Sequence, residues 1–197
     1  MLKRGIDLFL GLAGLAVLSP VLGLLTLAIL ILDGAPALFR QTRVGRDGQD
    51  FTLVKFRTMA RVAGTEVGSF DVGMCSRVTR LGAFLRHTKV DELPQLWNVL
   101  VGDMSLVGPR PEVRRWVEAY PERWARVLTV RPGITDPASI EFRHEEAILA
   151  AASDPEGTYR DVVLPRKLDL YERYVAGRSF LGDLGILVRT VWVVVKG

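Results

Sequence analysis

Residues 8–32, LFLGLAGLAVLSPVLGLLTLAILIL, carry no charged side chain, and an uninterrupted apolar run of this length leaves a chain few ways to fold. At about 1.5 Å per residue, a straight helix over the run crosses a hydrocarbon core of ~30 Å. The 26 basic and 22 acidic side chains of the 197-residue chain, net +4, therefore all lie outside it. What remains has the composition of an ordinary soluble domain, which excludes a disordered or fibrous chain. The expectation is a membrane anchor over residues 1–36 and a domain over residues 37–197 that forms one unit with it. The run is too long for a signal peptide, and no small-residue cleavage site follows it, so it is expected to stay attached.

Both flanks of the run are basic, with Lys3 and Arg4 before it and Arg40, Arg43 and Arg46 after it. Basic flanks stay on the cytoplasmic side, and a plain span cannot satisfy both. Ser19-Pro20 lies mid-run, where proline removes a backbone donor and clashes with the carbonyl four residues earlier. The serine hydroxyl can bond a freed carbonyl. A helix-break-helix at Ser19 and Pro20, entering and leaving on one face, reconciles these features; a kinked ordinary span is the alternative.

Beyond the run, residues 37–43 and 51–59 read as two strands around Gly45-Arg46-Asp47-Gly48, a hairpin in which alternation puts Lys55 and Arg57 on one face. Residues 61–74 contain Gly64, Gly68 and Gly73 without periodicity and read as a loop. Val78, Leu81 and Leu85 form a helical stripe, and Leu93, Leu96, Trp97 and Leu100 form a second. A third stripe, Trp116, Val117, Tyr120, Trp124, Val127 and Leu128, is interrupted by Pro121. It is accompanied by Arg114, Arg115, Arg123 and Arg126, which suits a headgroup boundary or equally a soluble helix with solvated arginines. Phe180, Leu184, Leu187, Val188, Val191 and Val195 form a last face, core or interfacial. The fold class expected is α+β and mostly helical, with a membrane helix, one short hairpin and amphipathic interfacial helices.

The residues available for chemistry are few. A single cysteine, Cys75, excludes an internal disulfide and a cysteine-based metal site, and His87 and His144 make no cluster. No G-x-S-x-G, H-E-x-x-H or Walker loop is present. Asp91-Glu92 is an adjacent carboxylate pair at an expected helix start, with Pro94 in the first turn. Asp91 there serves either as an N-cap or as a nucleophile beside a carboxylate that holds a hard cation. Gly108-Pro109-Arg110-Pro111-Glu112 clamps an arginine between two prolines: a structural turn, or a rigid guanidinium for phosphate oxygens. Arg131-Pro132-Gly133 repeats the arrangement.

The block KVDELPQLWNVLVGDMSLVGPRPE, residues 89–112, resembles the bacterial sugar transferases, the monotopic polyprenyl-phosphate phosphoglycosyl transferases of minimal catalytic length. The resemblance extends to the apolar start with Ser19-Pro20, QTRVGRDGQDFTLVKFRTM, VTRLGAFLR, RPGIT and LDLYERYV. It implies a Mg²⁺-dependent transfer of phospho-sugar from a nucleotide sugar, usually a UDP-sugar, to undecaprenyl phosphate. UMP leaves, and the product opens glycoconjugate or polysaccharide synthesis. It further implies Asp91 as nucleophile, Glu92 at the metal, Lys55, Arg110 and Pro111 at substrate phosphate, and Asp169 as a further functional position. Arg57 and Arg131 join the phosphate-binding candidates. The implied location is the cytoplasmic face of the bacterial plasma membrane, among membrane lipid and downstream glycosyltransferases. One departure stands out: many members continue RPGIT with GWAQVNGR, whereas this chain has Asp136-Pro137-Ala138-Ser139-Ile140-Glu141, a segment expected to contact sugar or nucleotide.

Two other functions fit parts of the pattern. A catalytically silent membrane scaffold for a glycosyltransferase assembly would keep the fold, and the intact Asp91, Glu92, Lys55 and Arg110 argue against it. A nucleic-acid binder would explain the basic charge, but the arginines accompany a membrane anchor rather than a nucleic-acid-binding motif, so no nucleic-acid partner is expected.

Overall fold

A computed structural model of the chain describes residues 2–60 and 77–196. Pro20 has no N–H to give to the carbonyl of Ala16, one turn earlier. Ser19 Oγ donates to that carbonyl instead, at 2.9 Å. With the orphaned acceptor satisfied locally, helix α1 (Leu2–Leu32) runs on through Ser19 and Pro20, and the expected break into two helices is absent. Its hydropathy and length suffice to cross a membrane. Its buried residues are Asp7, Gly11 and Ile29, whereas Val17, Val21 and Leu24 between them are exposed.

The basic residues before the apolar run are turned inward. Lys3 Nζ donates to the Val107 carbonyl at 3.0 Å and pairs with Asp183. Arg4 donates to the carbonyls of Val99 (2.7 Å) and Leu100 (3.2 Å). Asp7 accepts from Ser105 Oγ at 2.8 Å and Leu106 N–H at 3.1 Å. At the other end of α1, Asp33 accepts from Thr79 Oγ1 through its side chain at 2.8 Å and from Arg57 Nη2 through its carbonyl at 2.7 Å.

The hairpin comprises β1 (Leu38–Val44) and β2 (Asp50–Phe56), antiparallel in a register from Leu38 opposite Phe56 to Val44 opposite Asp50. The turn Arg46–Gly48 carries Asp47 and Gly48 at positive φ, a conformation that glycine and aspartate accept readily. β2 stops at Phe56, short of the expected Met59. Arg57 therefore does not share a strand face with Lys55. The loop expected over residues 61–74, and Cys75, lie outside the described residues.

Helix α2 (Arg80–His87) is capped by Thr79, whose side chain accepts from Gly82 N–H. A Cβ at Gly82 would lie 2.0 Å from the Thr58 carbonyl oxygen, so only glycine lets α2 approach this closely. Helix α3 (Gln95–Val101) follows, packed against α1 so tightly that a Cβ at Gly11 would sit 3.3 Å from Leu100 Cδ2. Strand β3 (Ser105–Val107), helices α4 (Arg114–Ala119) and α5 (Pro121–Val127), and strand β4 (Gly133–Thr135) come next. β4 pairs parallel with β3. The chain closes with α6 (Pro137–Glu141), α7 (Glu145–Ala150), α8 (Pro155–Thr158), a π-helical turn Tyr159–Val163, α9 (Leu164–Gly177) and α10 (Phe180–Lys196).

The main core joins Trp116, Trp124, Leu149, Tyr159, Leu164, Leu168 and Tyr171. The aromatic stripe of α4 and α5 is thus turned inward, with Trp124 only 1% exposed, and it does not form a headgroup-facing surface. Its arginines pair with acids of the same domain: Arg114 with Asp50, Arg115 with Glu156, Arg123 with Asp169 and Glu172, and Arg126 with Glu172. α10 differs, because Phe180, Leu184, Val188 and Val191 remain exposed along it.

Candidate active site

Lys89 takes a left-handed conformation, φ 58°, which turns the chain sharply into the 3₁₀ turn Val90–Glu92. Asp91 lies inside that turn rather than at a helix start. α3 begins four residues later and has no side-chain cap, so Asp91 does not serve as its N-cap. Its side chain is buried, and Oδ1 has no hydrogen-bond partner. An acceptor left bare in the interior costs stability and calls for an explanation.

Glu92, next along the turn, is gripped by Arg110: Nη1 donates to Oε2 at 3.1 Å and Nη2 to Oε1 at 2.5 Å. The segment between β3 and α4 presents that guanidinium. Pro109 and Pro111 restrict the backbone on both sides, and the Pro111 carbonyl accepts from Arg43 Nη1 at 3.1 Å. Pro111 itself is buried. Glu112, behind it, accepts from Arg43 Nη1 at 3.2 Å, from the Val113 N–H and from the Tyr159 hydroxyl.

Lys55 comes from β2, half-buried, its ammonium 5.3 Å from the centre of the Phe39 ring. The charges of Lys55, Arg110 and Glu92 all act on Asp91. Burial and the neighbouring Glu92 push the Asp91 carboxyl up to about 6, against the pull of Lys55 and Arg110. Burial also works against the charge on Glu92, but the guanidinium of Arg110 and its hydrogen bonds outweigh it and hold that carboxyl down at about 2. Lys55 falls to about 8, chiefly because it is removed from water, with Asp91 opposing the fall. The site thus holds a raised carboxyl, a fixed carboxylate and two cations, an arrangement that can bind phosphate and offer a nucleophile.

Four sequence candidates meet here: Lys55, Asp91, Glu92 and Arg110. Others lie elsewhere. Arg57 is buried, and its guanidinium caps the end of α1 at the Asp33 and Gly34 carbonyls. Arg131 Nε donates to the Gly102 carbonyl at 2.7 Å, closing the end of α3. Asp169 is half-exposed on α9 and pairs with Arg123 at 2.6 Å. Ser19 and Pro20 lie in the exposed middle of α1. In the departure segment, fully buried Asp136 caps α6 by accepting from Ala138 N–H (2.7 Å) and Ser139 N–H (3.0 Å). Its carboxylate is thus committed to structure.

Sequence reasoning passed over three residues. Arg43, an inward cation on a strand, holds the Pro111 carbonyl. Tyr171 on α9 is fully buried with a bare hydroxyl. Gln95, four residues after Asp91 and first in α3, is 1% exposed with an unpaired Nε2. Gln95 lies off the expected stripe of Leu93, Leu96, Trp97 and Leu100, and Trp97 of that stripe is exposed, so the local pattern carried no signal for it.

The chain as a whole is similar to known proteins. Residues 1–197 match the bacterial sugar transferase family. The chain is 42% identical over 212 residues to an uncharacterized sugar transferase of Haemophilus influenzae, covering 100% of this chain and 41% of that protein. It is 32% identical over 199 residues to the UDP-N-acetylgalactosamine-undecaprenyl-phosphate N-acetylgalactosaminephosphotransferase of Aeromonas hydrophila, covering 100% and 44%. It is 38% identical over 193 residues to the UDP-glucose:undecaprenyl-phosphate glucose-1-phosphate transferase of Caulobacter vibrioides, covering 96% and 68%. The chain spans less than half the length of the first two relatives. With the match running from end to end and the carboxylate pair, lysine and proline-clamped arginine gathered at one site, this chain belongs to the bacterial sugar transferase family.

Proposed function

We propose that this chain transfers a phospho-sugar from a UDP-sugar to undecaprenyl phosphate, releasing UMP and forming undecaprenyl-diphosphate-sugar. The observation that carries this reading is the bare, buried Oδ1 of Asp91 beside the Glu92–Arg110 pair and Lys55. Ionised Asp91 attacks the sugar-linked phosphorus. The bond from that phosphorus to the bridging oxygen breaks, UMP leaves with the electron pair, and the phospho-sugar stays on Asp91 as an acyl phosphate. A phosphate oxygen of undecaprenyl phosphate then attacks the same phosphorus and frees the carboxylate. That acceptor is already an anion, so no base is required. Lys55 and Arg110 neutralise the diphosphate, and Arg110, fixed by its fork on Glu92, does so without reorganising.

The donor set fits magnesium. Among the described residues no cage of three or more His, Cys, Asp or Glu exists, and Mg²⁺ is commonly held by one or two carboxylates together with substrate phosphates. Glu92, with Asp91 beside it, would hold the ion, which when bound neutralises charge on the diphosphate.

Support for a membrane placement comes from α1. Its 31 residues span about 46 Å if straight, yet residues near both ends bond the same domain while the apolar middle is exposed. A helix crossing a ~30 Å core would carry its ends to opposite sides. A re-entrant, monotopic placement on the cytoplasmic face of the bacterial plasma membrane, with α1 bending at Pro20 while staying one helix, accommodates both ties and brings the site to the headgroup layer, where the lipid phosphate lies. The product is what downstream glycosyltransferases would extend. Purified protein with undecaprenyl phosphate, screened against UDP-sugars for UMP release, tests the function; no release with any nucleotide sugar would end it.

A further inference from the structure

Gln95 is a buried amide whose Nε2 has no partner, and the reaction proposed above has so far given it no task. Its neighbours along the helix define where it faces. Asn98, three residues further along α3, shares its face, and Asp91 lies four residues before Gln95, across the junction of the 3₁₀ turn and α3. Asn98 fixes that face against β2, accepting from Val54 N–H at 3.1 Å and donating to the Thr52 carbonyl at 2.7 Å. The next residue of β2 is Lys55. The turn that bears Asp91 and the helix that bears Gln95 both pack on this strand. At this junction stand an unpaired acceptor, Asp91 Oδ1, and an unpaired donor, Gln95 Nε2. They do not satisfy each other, and interiors rarely keep such groups bare. A group that takes a bond from Asp91 and a hydrogen bond from Gln95 would satisfy both, and a phosphoryl group does so.

Resting on the reaction proposed above, we infer that Gln95 is a substrate-binding residue of the first half-reaction, its amide donating to a non-bridging oxygen of the phosphoryl group that passes to Asp91. A neutral donor suits this place. Lys55 and Arg110 already supply positive charge, and a third cation beside Asp91 would lower the basicity of the nucleophile. The hydrogen bond strengthens as charge develops on the phosphoryl oxygens, which directs its effect to the transition state.

Gln95→Met keeps the length of the side chain and removes the unpaired amide, and Gln95→Glu keeps the shape and removes the donor. Both are compared with wild type in detergent, with UDP-glucose and UDP-N-acetylgalactosamine as donors. The readouts are UMP release without lipid acceptor, the kcat and KM of the full reaction, and thermal unfolding. Gln95→Met should unfold at or above the wild-type temperature while UMP release slows about 10- to 100-fold, mainly in kcat, and Gln95→Glu should be slower still at pH 8. Wild-type release rates in both variants would overturn the role of Gln95 alone. Loss of stability in parallel with activity in both would also overturn it, making the residue a packing element. An active wild type keeps the proposed reaction standing in either case, whereas a wild type that releases no UMP from either donor, or from the wider panel, removes the reaction and this role together.

Discussion

Arg110 and Glu92 meet fork to fork, Nη2 to Oε1 at 2.5 Å and Nη1 to Oε2 at 3.1 Å, across eighteen positions of sequence. The pair ties the 3₁₀ turn that carries Asp91 to the proline-clamped loop after β3. It fixes the charge state of both partners, lowering the carboxyl to about 2 and raising the guanidinium. A planar donor fork is required for this geometry, and an ammonium cannot reproduce it.

Arg110→Lys should therefore retain charge yet lose about 100-fold in UMP release, with the fall expressed in kcat. The pair also stabilises the fold. The Glu92 carboxyl is held near 2 when folded, against an ordinary 4.5, so its contribution is present above about pH 4.5 and is lost as pH falls toward 2. Its size is about 3 kcal/mol. Chemical unfolding of Arg110→Ala at pH 7 and pH 2.5 should show a deficit that shrinks at the lower pH; an equal deficit at both would show that the pair does not stabilise.

Asp91→Asn should separate stability from activity. The Asp91 carboxyl titrates at about 6 when folded, against 3.8 in its ordinary state. The folded state therefore binds the proton more tightly, and stability falls as pH rises from about 4 to 6. At pH 8 the ionised group costs about 3 kcal/mol or less, and asparagine avoids that cost. Because Asp91 caps no helix, nothing offsets the gain. The variant should melt above wild type at pH 8, match it at pH 4, and release no UMP. Near-normal turnover by verified Asp91→Asn protein would remove Asp91 as nucleophile.

The pH dependence of kcat/KM for the nucleotide sugar should have two limbs. Activity rises through about pH 6 as Asp91 ionises and falls through about pH 8 as Lys55 loses its proton. Lys55→Arg should abolish the alkaline limb, since guanidinium stays charged. An unchanged alkaline limb in this variant would assign it to another group.

Chelation should stop UMP release by wild type, and added Mg²⁺ should restore it. Glu92→Gln keeps the shape but not the charge that a hard cation needs, and its residual activity should respond little to added metal. Full wild-type activity in excess chelator would refute the metal requirement.

In cells, single cysteines placed at Leu2 and at Asp47, in a Cys75→Ser background, should both be shielded from an impermeant maleimide until lysis. Labelling of only one in intact cells would identify a transmembrane span.

Local pattern in the sequence sufficed for the long helix, the hairpin around Gly45 and Gly48, and the helical stripes near Leu85, Leu96 and Trp124, because such periodicity is set by neighbours a few residues apart. The Asp91-Glu92 pair and the proline-clamped Arg110 were legible for the same reason. What a charged or polar side chain meets is settled by segments far away in sequence, and there local pattern fails. Strand alternation pairs Arg57 with Lys55, but β2 ends at Phe56 and the Arg57 guanidinium bonds the Asp33 and Gly34 carbonyls just past α1. The local pattern allows Asp91 as a helix cap, but α3 begins at Gln95. Tertiary packing alone turned Trp116 inward onto Tyr159 of the π-helical turn and Trp124 onto Tyr171 of α9, made Lys3 and Arg4 tethers for α1, and brought Lys55, Glu92 and Arg110 around one buried carboxyl whose field no local pattern encodes.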